Sequence, residues 1–282
     1  MKEPVKILYI TQEIDPYIKE TEISEICRRF PQYTQEQGCE IRAFMPCYGH
    51  INERRNQLHE VQRLSGMNII IDDTDHPLII KVASIPGTRM QVYFIDNEEF
   101  FSRKGITHDA EGNTYEDNDE RSIFFVRSVL ETIKKLRWTP DIIHCNGWIT
   151  GLAPLYINRT YNSDPFFSQS VVIYSIYKEE FETNINSGIE RKITLPGVEP
   201  DDFKPFKGKT ISASAFHKIA IDFSDGIINC SDTISPDIER YIQKKKTPFL
   251  ANTQEETYKE DYSNFFGELC PIFAANMRGK DL

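Results

Sequence analysis

Short runs of β-branched and aliphatic residues alternate along the chain with longer stretches whose apolar positions recur every three to four residues. Val5-Lys6-Ile7-Leu8-Tyr9-Ile10 is the first short run and predicts a strand. From Ile23 to Gln37, apolar Ile23, Ile26, Cys27 and Phe30 fall at helical spacing, and Gly38 supplies the stop. Glu40 to Met45, closed by Pro46, predicts a second strand. Leu78 to Ser84 and Met90 to Ile95 predict a strand pair turning at Pro86-Gly87. Asp117 or Asn118 is expected to cap a long helix whose apolar face carries Ile123, Phe124, Val126, Leu130, Ile133 and Leu136.

The alternation then continues to Lys245. Asp141 to His144, Val171 to Ile176 and Gly226 to Asn229 predict strands, and Thr150 to Asn158, Ser214 to Phe223 and Pro236 to Lys245 predict helices. Strands alternating with helices imply an α/β fold, a doubly wound (Rossmann-like) parallel sheet with helices on both faces. In such sheets ligands gather at the carboxyl ends of the strands, so the loops after Ile10, Met45, Ile143, Ile176 and Asn229 are where chemistry is expected. Lys178 to Lys209 is polar and predicts a long insertion. Pro248 to Leu282 is weakly patterned and predicts a tail that docks on the body as a terminal helix. The expected organisation is one domain over residues 1–246 and a tail over 247–282, with no internal repeat.

Composition narrows the classes further. Of 282 residues, 39% are hydrophobic and 27% charged, as in a soluble globular chain, and 18 Phe with 13 Tyr argue against disorder. A net charge of −10 repels phosphate backbones, so no nucleic-acid partner is expected. No apolar run approaches the roughly 20 residues needed to span a bilayer, so no membrane association is expected. The N-terminus lacks the layout of a signal peptide, and six scattered cysteines without a Cys-x-x-Cys pair fit a reducing compartment, so a cytoplasmic location is expected. Cys47 with His50, and His144 with Cys145, lack the further clustered ligands of a zinc site. Neither a metal nor a cofactor is expected.

The common nucleotide motifs are missing. The loop after the first strand, Thr11 to Lys19, contains no glycine, so a phosphate cannot approach its backbone as it does in a dinucleotide-binding turn. The acidic run Asp72-Asp73-Thr74-Asp75 lies between two apolar strands and suits a solvated turn better than a cation site. Lys244-Lys245-Lys246 closes a helix, where the dipole favours cations.

Six segments, in order, carry a family resemblance: Glu13-Ile14-Asp15-Pro16 with Lys19, Pro46-Cys47-Tyr48-Gly49, Phe101-Ser102-Arg103, Asp117-Asn118-Asp119-Glu120-Arg121, Pro140 to Gly151, and Ser235-Pro236. From Lys6 to about Tyr241 the chain resembles the N-terminal domain of the bacterial glycogen/starch synthases, retaining glucosyltransferases of the two-domain GT-B architecture. The resemblance implies glucosyl transfer from ADP-glucose or UDP-glucose to an α-1,4-glucan. It places Lys19, His144, Asn146, Trp148 and Tyr177 at substrate-binding positions.

The departures from the family pattern are as informative. The family's Lys-Thr-Gly-Gly-Leu keeps its lysine as Lys19, but Thr21 and Glu22 stand at its two glycines. Gly147 stands where the family's His-Asp-Trp has the aspartate, with Asn146 at the histidine, and Tyr177 stands at the histidine of Thr-Val-His-Asn-Leu. A glutamate facing a diphosphate repels it, and added side chains block close backbone approach. Catalytic residues are therefore not assigned. Beyond Tyr241 the remaining residues cannot build the family's second domain, so that domain is expected to be absent and the replaced motifs to mark a stand-alone form.

Two readings of each candidate stay open. Lys19 holds an anion or is a solvated loop lysine, and His144 touches a sugar hydroxyl or is a hydrogen-bonded structural histidine. Trp148 stacks on a sugar or packs in the core. The expected function is that of a glycogen/starch synthase family protein, weak or inactive alone. The alternative is a non-catalytic subunit in glycogen metabolism that binds glucan or nucleotide-sugar, with a partner chain or second copy covering the open cleft.

Overall fold

The computed structural model describes residues 3–178, 181–184, 188–206, 210–232, 234–253 and 256–278. Twelve strands are formed among them: β1 (Lys6–Thr11), β2 (Glu40–Pro46), β3 (His59–Glu60), β4 (Met67–Ile71), β5 (Thr74–Ser84), β6 (Gln91–Asp96), β7 (Ile142–Asn146), β8 (Val171–Ile176), β9 (Glu182–Asn184), β10 (Thr210–Ser212), β11 (Gly226–Asn229) and β12 (Phe249–Leu250). The helices are α1 (Glu22–Glu36), α2 (Glu98–Phe101), α3 (Asn118–Leu136), α4 (Ala153–Arg159), α5 (Ile189–Ile193), α6 (Ala213–Phe223), α7 (Pro236–Lys245), α8 (Tyr258–Leu269) and α9 (Pro271–Arg278).

The main sheet runs β12-β11-β8-β7-β1-β2-β6-β5-β3, with β4 paired to β5. From β12 through β6 every pairing is parallel, while β5, β3 and β4 pair antiparallel. The sheet is thus mixed where a parallel sheet was expected. The reason is local: two tight turns, Asp72-Asp73 and Pro86-Gly87, leave too few residues for the crossover that parallel pairing needs. Asp72 accepts the left-handed φ of 56° that its turn requires.

β1 is the centre of the winding. The chain leaves it towards β2 through α1, then returns from β6 through α3 to β7 on its other side, and continues outward to β8, β11 and β12. Reversing direction with right-handed crossovers puts α3, α4 and α6 on the face opposite α1. The strand order therefore switches between β1 and β7, the position beyond whose carboxyl ends sheets of this kind bind ligands.

The tail closes the α1 face. Tyr262 and Phe266 of α8 pack edge-on against Phe30 of α1, each with ring centroids 5.2 Å apart, and Phe273 of α9 is fully buried beside Phe266. Two helices dock where one was expected, and β12 joins the sheet edge. Among the described residues of the polar excursion, β9 pairs with β10, and α5 packs on α3. Residues 179–180, 185–187 and 207–209 of that excursion lie outside the described residues.

Asp117 does precede α3, but its side chain caps nothing. Its carboxylate pairs with Arg103 at 2.5 Å instead. Asn118 accepts from Arg121 at 2.8 Å and donates to the Thr107 carbonyl. Arg121 is fully buried and also donates to the Phe100 and Ile106 carbonyls, so this polar cluster ties the segment from Phe100 to Thr107 to the helix start. The expected helix cap is in fact a clamp on the preceding loop.

Candidate active site

On β7, alternate side chains point to opposite faces of the sheet. His144 and Asn146 therefore face α1 and α8. The His144 ring meets Phe30, Phe266 and Tyr9 edge-on, and its Nε2 lies 2.7 Å from Ser175 Oγ. Burial pushes its pKa down to about 3, so the ring is neutral at any pH near 7. Asn146 donates to the His144 carbonyl at 3.4 Å and accepts from the Tyr177 hydroxyl at 3.1 Å. Burial first, and then the neighbouring Cys230 and Cys27, hold the Tyr177 phenol well above its ordinary range, which keeps it a donor. His144, Asn146, Ser175 and Tyr177 thus form one buried polar patch under α1 and α8.

Trp148 opens a single 3₁₀ turn after β7 and turns to the other face. It is fully buried, with Phe181 at 4.5 Å and Phe216 at 5.4 Å between ring centroids. Lys19 stands apart, exposed in the loop after β1. So the sheet gathers His144, Asn146 and Tyr177, sends Trp148 to the α6 side, and leaves Lys19 outside. A direct consequence is testable. Tyr177→Phe removes the buried hydroxyl that bonds Asn146 and the Cys230 and Cys27 thiols, and should cost about 1 kcal/mol or more of stability in urea unfolding.

Gly147 has φ 84° and ψ 164°, a conformation nearly reserved for glycine. A Cβ there would meet Gln12 Oε1 at 2.8 Å and Gln12 Cβ at 3.0 Å. Beside Gly147, the loop after β1 turns a carboxylate inward. Glu13 is buried, accepts from Gln12 Nε2 at 2.9 Å and from Thr21 Oγ1 at 2.5 Å. Thr21 is the N-cap of α1, and with Ser24 it completes a reciprocal capping box. The positive end of α1 is accordingly closed by its own cap, with Glu13, Glu22 and Glu25 around it. Burial, with Asp232 nearby, raises the pKa of Glu22.

A cleft of about 690 Å³ lies beyond the carboxyl end of β8. Its walls come from Tyr177 and the loop carrying Lys178 and Phe181, from the first turns of α6 (Ser212, Ser214, His217) and from the start of α7, so of the predicted site residues Tyr177 reaches this cleft. His217 is buried, its Nδ1 lies 2.7 Å from the Tyr174 hydroxyl, and burial pushes its pKa down to about 4. The sequence pointed to the loop after Ile176 and to Tyr177 on this cleft, but not to the side formed by α6 and α7. The readable signals were Ser212 and Ser235, which stand at the starts of α6 and α7, Ser235 capping its helix by accepting from the Ile238 amide.

Among the described residues, one cluster has metal-capable donors: Cys47, Glu53 and Asp96, with ligand atoms within 4.8 Å of one another. Lys81 already supplies the cation there, its Nζ 2.6 Å from a carboxylate oxygen of both Glu53 and Asp96. No helix among the described residues is long and apolar enough to cross a membrane.

The fold is an α/β domain whose strand order switches between β1 and β7. The chain belongs to the starch synthase catalytic domain family, whose model matches residues 6–248. It is 38% identical over 178 residues to a glycogen synthase of Chlorobium limicola, covering 62% of this chain and 36% of that protein. It is 29% identical over 303 residues to a glycogen synthase of Chlorobaculum parvum, covering 95% of this chain and 62% of that one. The chain thus spans between about a third and two thirds of the length of these relatives. Its fold also matches the catalytic domain of starch synthase IV from Arabidopsis thaliana, bound to ADP and acarbose. That match has a TM-score of 0.71 and 16% identity, and covers 89% of this chain and 52% of that one.

Proposed function

We propose that this chain is a member of the glycogen/starch synthase family that binds α-glucan without transferring glucose to it. The family's reaction is glucosyl transfer from ADP- or UDP-glucose to α-1,4-glucan. Transfer needs preorganised groups facing a water-poor cleft where charge develops. The observation that carries the proposal is that the family's donor-side positions at the ends of β7 and β8 are buried in this chain, while Lys19 stands exposed apart from them. Tyr177 and Asn146 satisfy each other, His144 is neutral beneath α8, and Gly147 carries no side chain. The capping box and Glu13 occupy the helix end a diphosphate would use.

Glucan binding is supported by the 690 Å³ cleft, which lies within the roughly 300–1,000 Å³ of ordinary ligand sites. It combines apolar Phe181 and Ile238 with the hydroxyls of Ser212 and Ser214, the mixture a sugar's faces and edges require. Electrophoresis of the purified chain through glycogen-containing native gels is the test. The chain should be retarded relative to a glycogen-free gel, and Ser214→Trp, which fills the cleft from the start of α6, should run unretarded with an unchanged thermal midpoint. Equal mobility of the wild-type chain in both gels would sink the proposal.

A further inference from the structure

The helix α6 lines the 690 Å³ cleft with Ala213, Ser214 and His217. Ala213 and His217 are four residues apart, so they share a face of the helix. His217 is only 3% exposed, so the cleft meets its ring at an edge. We propose that His217 determines the specificity of this cleft. Its Nε2 accepts a hydrogen bond from a free hydroxyl of the ligand, which admits neutral, hydroxyl-rich molecules and disfavours anions. The proposal rests on the glucan reading above and names the group of the sugar that is read.

The first support is the edge of the ring that meets the cleft. Nδ1 lies 2.7 Å from the Tyr174 hydroxyl, and Tyr174 is fully buried and not among the residues that line the cleft. The Nδ1 edge is thus turned towards the sheet, and the tip of the ring that carries Nε2 is left for the cleft. Among the described residues Nε2 has no hydrogen-bond partner. Buried polar atoms are almost always paired, so an orphan at a cleft wall points to a group that the ligand brings.

The second support is the direction of the missing bond. The Tyr174 hydroxyl has one proton and two contacts. The Gly147 carbonyl, 3.3 Å away, can only accept, so the phenol donates there. The 2.7 Å contact is then made by a proton on Nδ1, with the phenol oxygen accepting. Burial pushes the pKa of His217 down to about 4, so near pH 7 the ring is neutral and holds one proton. With that proton on Nδ1, Nε2 is a bare acceptor. It pairs with a hydroxyl and repels a carboxylate or a phosphate dianion, which has no proton to give.

The surroundings agree. Lys178 and Glu182, both on the cleft, offset each other in charge, so neither sign of ligand is favoured. Ser212 stands at the start of α6 without capping it through its side chain, which offers a sugar a second hydroxyl partner beside His217.

Long-range proton–nitrogen NMR spectra of the full chain, carrying isotope-labelled histidine, test this with maltoheptaose and inorganic phosphate as separate probes. The signals lost in His217→Gln identify the residue. Without sugar, His217 should show a protonated Nδ1 and a bare Nε2. Saturation with maltoheptaose should shift the Nε2 resonance, as a new hydrogen bond to it requires, and phosphate should leave it in place. His217→Leu keeps the apolar bulk, leaves Tyr174 its bond to Gly147, and removes the acceptor. It should bind maltoheptaose about tenfold more weakly. A protonated Nε2 in the free chain would overturn the proposal. So would an Nε2 resonance that maltoheptaose leaves unmoved while glycogen still retards the chain in native gels, a result that spares the glucan reading. Neither retardation nor shift would overturn both. A shift with phosphate as large as that with the sugar would overturn the discrimination against anions.

Discussion

Gly147→Asp, which restores the family's aspartate, should destabilise the chain by about 3 kcal/mol and restore no transfer. At φ 84° and ψ 164° an L-residue is strained by itself, and the new Cβ lands 2.8–3.0 Å from the Gln12 side chain. Gln12 cannot swing clear freely, because its amide holds the Glu13 carboxylate. Displacing it therefore disturbs the group that bonds the cap of α1. Urea unfolding of wild type, Gly147→Ala and Gly147→Asp separates the causes. The alanine variant should show the backbone strain and the Cβ contact, and the aspartate variant those plus the added carboxylate facing Gln12 and Glu13. Wild-type stability in the aspartate variant would mean that the loop adapts and that the position remains open to catalysis.

The second large effect is with pH. His144 and His217 are buried neutral, with pKa values pushed from 6.5 to about 3 and about 4 by burial. Each binds a proton in the unfolded chain below about 6.5, whereas in the folded chain it does so only near its depressed value. Between those limits the unfolded state holds more protons, so stability falls as pH falls. By pH 5 each histidine should remove about 2 kcal/mol, or about 4 kcal/mol together. Glu22 and Asp119 work in the opposite sense, since burial raises their carboxyls and the folded state holds their protons longer. Comparing wild type with a His144→Gln, His217→Gln double variant at pH 7.5, 6 and 5 isolates the histidines. The wild type should lose stability more steeply, and parallel curves would refute the burial of both rings.

The frame of the fold was legible because its signals are local. β8, β11 and α7 begin and end where the apolar pattern and the Ser235-Pro236 start placed them. The two-residue strands β3 and β12 were not legible, since two residues carry no periodicity and only their partners make them strands. The roles of His144, Asn146 and Tyr177 were illegible for a longer-range reason. Phe266, which covers His144, comes from a tail more than a hundred residues away in a stretch with weak patterning. Nor could the sequence show that Asp117 would be taken by Arg103 and so be lost as a cap. What the family positions do show from sequence alone is substitution. That Thr21 completes a capping box bonded to Glu13 is visible only once the loop is folded.

The most direct test is glucose incorporation into glycogen from labelled ADP-glucose and UDP-glucose at high protein concentration, with a full-length glycogen synthase as control. Incorporation at the level of the protein-free blank with both donors is the predicted result. Primer-dependent transfer well above that blank would contradict it, and would mean that Lys19, Asn146 and Tyr177 form a working site after all.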